Sequence, residues 1–190
     1  MSRAEEIWLF IHLLGVFALV SGVAIEIVLV TAALRATTVE KVAAYLAPLK
    51  VLPAVFGVAA LVLLAAGSSL VHKEHKDGDP LVHWGAAWVD IAIVVLLGLT
   101  AIAPFVWGKP LAAVHEQAEA AGTGPVPAAI AAALRKPSIH IGMRAAWCEV
   151  IAALFVMSNK PGWGGSVAAV VIAAVVGAGL AQLGTKQVAA

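Results

Sequence analysis

Residues 7–34 read IWLFIHLLGVFALVSGVAIEIVLVTAAL, an apolar run broken by one formal charge, Glu26, and one histidine, His12. Crossing the hydrocarbon of a bilayer takes about 20 predominantly apolar residues. A chain in lipid must satisfy its own backbone polar groups, and a helix does so within one segment. The run is also too long for the apolar core of a signal peptide, about 7–15 residues. It reads as a retained transmembrane helix.

Four further stretches carry the same pattern, at about 51–71, 84–107, 138–159 and 165–183. The second has no formal charge, the third holds only Asp90, and the fourth contains Arg144 and Glu149. The fifth is uncharged and rich in small side chains. The expected fold is an all-α polytopic membrane bundle of five transmembrane helices, a four-helix core plus a fifth helix. Residues 1–190 form one domain. A membrane barrel would instead need short alternating strands.

Composition agrees. The chain is 62% hydrophobic and 12% charged, with a mean hydropathy of +0.99. Soluble domains average about 45–50% apolar and about 25% charged. A chain of this size still exposes about 30% of its unfolded surface, so the excess cannot be hidden in a water-soluble core. The lipid bilayer is the expected partner. A net charge of +1 gives no reason to expect nucleic acid. The single cysteine, Cys148, permits no intrachain disulfide.

The connections differ in kind. Residues 36–47 read as a short link, and His72–Pro80 (HKEHKDGDP) as a polar turn. From Lys109 to Lys136 the expectation is a helix over 111–121, a break at 122–127, and a short interfacial helix over 128–135. Pro137 suits a first helical position. Lys and Arg number four on the N-terminal side and seven on the other, with Arg144 lying inside a span. That asymmetry predicts the N-terminus outside and the C-terminus in the cytoplasm. Trp8, Trp84 and Trp107 fall where an interfacial aromatic belt is expected.

Ionisable groups inside a span are expensive and invite a functional reading. At 1.5 Å per residue, His12 and Asp90 lie at matching depths of roughly 8 and 9 Å, so they are expected to meet across helices one and three. The pair reads either as a ligand with its tuning carboxylate or as an interhelical hydrogen bond. Glu26 and Arg144 lie at similar depth near the inner boundary and read as an ion pair. Glu149, near mid-membrane, reads as a proton carrier or as a neutral, hydrogen-bonded acid. His12, Gly15, Gly22 and Glu26 share one side of the first helix. In the last helix Ala169, Ala173, Gly177 and Ala181 form a ladder suited to packing on the bundle or on a second copy. Four of the six histidines gather toward the outer face: His12, His72, His75 and His83. Imidazole is a common metal and haem-iron ligand. His72 and His75 have i, i+3 spacing suited to a metal, although a solvated loop is the simpler explanation of them.

The stretch Ile11-His12-Leu13-Leu14-Gly15 with Gly22 resembles a family of bacterial integral membrane proteins without an assigned function. So do Ala66-Gly67-Ser68-Ser69-Leu70 and Phe155-Val156-Met157-Ser158-Asn159-Lys160-Pro161. The match spans roughly residues 7–161. That family is similar to copper-resistance D-type proteins and to the membrane-bound, oxygen-independent protoporphyrinogen oxidase. The resemblance implies a helical bundle holding haem b or copper, and it gives a ligand role to His12 alone.

Three functions follow as expectations. The first is a redox protein binding haem b or another transition metal in the outer half, with His12 and either His72 or His83 as ligands, Asp90 tuning them and Trp88 lining the site. The second is a structural or accessory subunit, working as a homo-oligomer or with a membrane complex partner. The third is a metal-ion uptake component. Hydrolase chemistry has no support, because no nucleophile stands beside a base in a known spacing.

Overall fold

The computed structural model describes residues 3–76 and 82–189, with side chains placed for 3–73 and 82–182. In chain order the elements are α1 (Arg3–Leu34), α2 (Val39–Leu46), a 3₁₀ turn (Ala47–Lys50) and α3 (Leu52–Lys76). Then come α4 (Ala87–Ala103), a π-helical turn (Pro104–Gly108), α5 (Lys109–Ala121), α6 (Ala128–Leu134), α7 (Pro137–Asn159) and α8 (Trp163–Ala189). The described residues contain no strand, and five helices are long and apolar enough to cross a membrane.

The boundaries follow local chemistry. Pro137 opens α7 at its first turn, where the absent N–H is one the helix could not use. Lys160 ends α7 in the left-handed conformation (φ 46°), and Pro161 follows. Gly122 (φ 74°) and Gly124 (φ 116°) turn the chain after α5 back onto α2. There the Val39 N–H donates to the Gly124 carbonyl at 3.0 Å, and the Gly124 N–H donates to Glu40 Oε1 at 3.2 Å.

The helices associate as two close pairs, α1 with α3 and α7 with α8, and α4 lies mainly against α7. The buried stripe of α1 is His12, Gly15, Gly22, Val23, Glu26, Val30 and Ala33. All four residues expected on one side of that helix are therefore in it. Glycines permit the pairing. A methyl group added at Gly177 would stand 2.5 Å from the Ala145 Cα, and one at Gly22 would stand 2.5 Å from the Phe56 ring. On α8, Ala173, Gly177 and Ala181 are buried while Ile172 and Val175 are exposed. The small-residue ladder thus faces α7 and the large apolar side chains face outward, as lipid contact requires.

One end of the molecule carries the start of α1; the other is closed by α2, α5 and α6 and is called here the cap end. The largest core lies at the cap end, where Val30, Val39, Leu46, Trp107, Leu111, Leu134 and Ile139 are all 5% exposed or less. The helices expected over 111–121 and 128–135 are present as α5 and α6.

Four expectations need correction. The polar turn expected from His72 is still helix as far as Lys76, the end of α3. The link at 36–47 contains a helix, α2, because Val39, Val42 and Leu46 give it one buried face. Helix α4 begins at Ala87, not Trp84: Trp84–Ala86 are spent on a turn through Gly85 (φ 87°). Asp90 therefore sits in the first turn of α4, about 4–5 Å from its start. Trp107 is not in an aromatic belt. It is 5% exposed and belongs to the cap-end core.

Candidate functional site

The α1–α3 pair and the α4–α7 pair do not close fully on each other. Two chambers separate them, one toward each end.

The chamber at the N-terminal end has a volume of about 250 Å³, and its wall includes His12, Leu63, Gly67, Trp88, Val89 and Met157. His12 is 8% exposed. Its ring edge lies against bare backbone: a methyl group at Gly67 would stand 3.4 Å from Cε1 and 3.5 Å from Nδ1. The Leu63 carbonyl faces the ring without closing a hydrogen bond, and neither ring nitrogen has a partner. An unmet buried polar group costs about 1–3 kcal/mol. The indole of Trp88 forms part of the wall, with Lys160 Nζ 5.4 Å from its ring centre.

His12 and Trp88 thus line the same chamber. The remaining members of the expected constellation do not. Asp90 is absent from the chamber wall and makes no hydrogen bond to His12, because α1 packs on α3 whereas α4 packs on α7. His72 is exposed at the end of α3. His83 is half-buried in the turn before α4, and its Nδ1 lies 2.9 Å from the Trp84 carbonyl, a donor's geometry. Neither lines the chamber. The side chain of His75 lies outside the described residues. Among the described residues, no three His, Cys, Asp or Glu side chains converge as a metal site. Met157 is the ligand type the sequence reading passed over. It sat inside a quoted motif, but a methionine in an apolar helix carries no signal of its own.

The chamber at the cap end is larger, about 480 Å³, and Glu26, Lys50, Trp107, Lys109 and His115 lie on its wall. Glu26 is 6% exposed and its Oε1 accepts a hydrogen bond from Trp107 Nε1 at 2.9 Å. The ion pair expected between Glu26 and Arg144 is therefore absent, the indole having taken that role. His115 is 2% exposed, and neither ring nitrogen is hydrogen-bonded. Its Nε2 stands 3.6 Å from Glu119 Oε1, and Glu119 Oε2 stands 3.4 Å from Lys50 Nζ. Lys109 Nζ lies 4.3 Å above the Phe105 ring. Leu19 and Val150 line both chambers, so the two adjoin end to end.

Glu149 is half-buried, with Oε2 unpartnered, and it lines neither chamber. Sequence reading missed His115. Its signal was a histidine on the apolar face of α5, beside Leu111, Val114 and Ala118, all buried.

The chain matches no protein-family model, no curated protein and no solved structure.

Proposed function

We propose that this membrane protein binds a transition-metal ion in the chamber beside His12, copper being the best suited. The observation that carries this reading is the buried His12 ring, which faces the Leu63 carbonyl but completes no hydrogen bond at either nitrogen, on the wall of a chamber that also includes Met157. Thioether and imidazole are a donor pair that copper accepts, and thioether sulfur favours copper(I). Haem iron accepts the same pair. The chamber, about 250 Å³, is smaller than the roughly 300–1,000 Å³ of typical small-molecule pockets. It therefore fits an ion better than a whole macrocycle, and no step is derived through haem.

A metal held there would supply one-electron chemistry. The chain's own contribution is to hold the imidazole, exclude water with Leu63 and Val89, and present Trp88 and Lys160 at the opening. The kinship to copper-resistance D-type proteins belongs to the same proposal, as does the placement in a bacterial inner membrane with the N-terminal chamber outermost. That placement is supported by the excess of Lys and Arg on the cap side.

The test is metal analysis and an absorption spectrum, before and after dithionite, on one purified sample loaded with copper and supplied with haem. Copper near one equivalent, lost in His12→Ala and weakened in Met157→Leu, supports the proposal. A Soret band would move the assignment to haem. Neither signal in a folded sample would leave the accessory-subunit reading.

A further inference from the structure

The chamber at the cap end takes no part in the reading above, and its wall has a different chemistry. Its reach from His115 and Lys109 to Leu19 and Val150 makes it elongated, polar at one end and apolar at the other. Lys50 and Lys109 are exposed residues that also line it, so cationic groups stand at its mouth. The His115 imidazole, 2% exposed, lines it with neither nitrogen hydrogen-bonded, and its Nε2 stands 3.6 Å from Glu119 Oε1. It is the polar member of a buried face whose neighbouring positions, Leu111, Val114 and Ala118, are aliphatic. Glu26 is the acid on the wall, and Trp107 Nε1 already donates to it.

We propose that this chamber binds a single-chain amphiphile with an anionic phosphate or carboxylate headgroup, entering from the leaflet at the cap end. Lys50, Lys109 and His115 hold the headgroup, and the apolar upper part takes the chain. Lys50 is restrained by Glu119 at 3.4 Å, so that acid competes with the ligand for the lysine.

The full chain is tested in a neutral maltoside micelle, with dodecyl phosphate as probe and dodecanol, dodecyltrimethylammonium and inorganic phosphate as comparisons. Dodecyl phosphate should bind at least about tenfold more tightly than any of them, since a hydrogen bond to a charged group is worth about 1.5–3 kcal/mol. The Lys50→Gln, Lys109→Gln double variant should lose about tenfold in dodecyl phosphate affinity and leave dodecanol unchanged. His115→Leu should lose affinity while unfolding no more easily than the parent, which separates a ligand role from a packing role. Glu119→Gln should tighten binding by freeing Lys50, and Ala112→Phe, at an exposed wall position, should block it. Equal binding of dodecanol would overturn the headgroup assignment. Equal binding of inorganic phosphate would make the site one for a free anion and overturn the chain assignment. An unaffected double lysine variant would overturn the proposal altogether. None of these outcomes depends on copper, so the two chambers stand or fall separately.

Discussion

The two ends of the molecule are held together differently. At the cap end, side chains from α1, α2, α5, α6 and α7 interlock around Leu46, Leu134 and Ile139, each 1% exposed or less. Toward the N-terminal end the buried cluster between α3 and α4 consists of Val71, Val82, Ala86 and Val89. Helices α2 and α5 carry Glu40, Lys41, Glu116 and Glu119 on their exposed faces, so burying their apolar faces is favourable, as in a soluble domain. Helices α2 and α5 accordingly have one buried and one exposed face. The spans border lipid, where an exposed leucine is no worse off than a buried one. Their packing rests on small residues and close approach.

This contrast can be broken at either end. The largest effect is expected at the cap: Ile139→Ala should destabilise by about 4 kcal/mol in reversible unfolding from mixed micelles. Val175→Ala, on the lipid-facing side of α8 and 67% exposed, should leave the midpoint where it is. An equal response from both would mean the ends are not built differently. Next comes Gly177→Leu, whose added side chain meets the Ala145 backbone at 2.5 Å. Overpacking against backbone costs about 3 kcal/mol, and proteolysis should then release α8 while the cap core stays folded. Trp107→Phe strands the Glu26 carboxyl and should cost about 2 kcal/mol; recovery in the Trp107→Phe, Glu26→Gln double variant would confirm that the bond itself matters. The smallest effect has the opposite sign. His12→Leu removes two unpartnered nitrogens and should stabilise the metal-free protein by about 1 kcal/mol, so a loss of stability would reveal a partner the ring already has.

Much of the fold is legible in the sequence, since the span-forming runs are long and their chemistry allows no other structure in lipid. Boundaries inside those runs are less so. Trp84, Gly85 and Ala86 are apolar or small like the helix they precede, and nothing in them announces that α4 starts only at Ala87. The error in the depth of Asp90 follows from that. Helix α2 was hidden because eight residues hold barely two turns of periodicity. Of the candidate site, His12 could be read because an imidazole in an apolar helix stands out, and Trp88 accompanied it. The rest depended on which helices pair. Spans that are hydrophobic all round do not declare their neighbours, so neither the separation of His12 from Asp90 nor the meeting of Glu26 with Trp107 could be derived from depth alone.

The π-helical turn at Pro104–Gly108 has a consequence for how the cap is aimed. It absorbs the equivalent of one extra residue between α4 and α5, so everything after it lags a continuous α-helix by about 100° around the axis. A continuous α-helix would send Trp107 and His115 off on a different bearing from α1. Straightening these five residues into α-helix at unchanged length would therefore act like turning a key: the indole would swing away from Glu26, and α5 would present its charged edge to Leu134 and Ile139. The pitch of a five-residue turn thus sets the angular phase of an entire end of the protein.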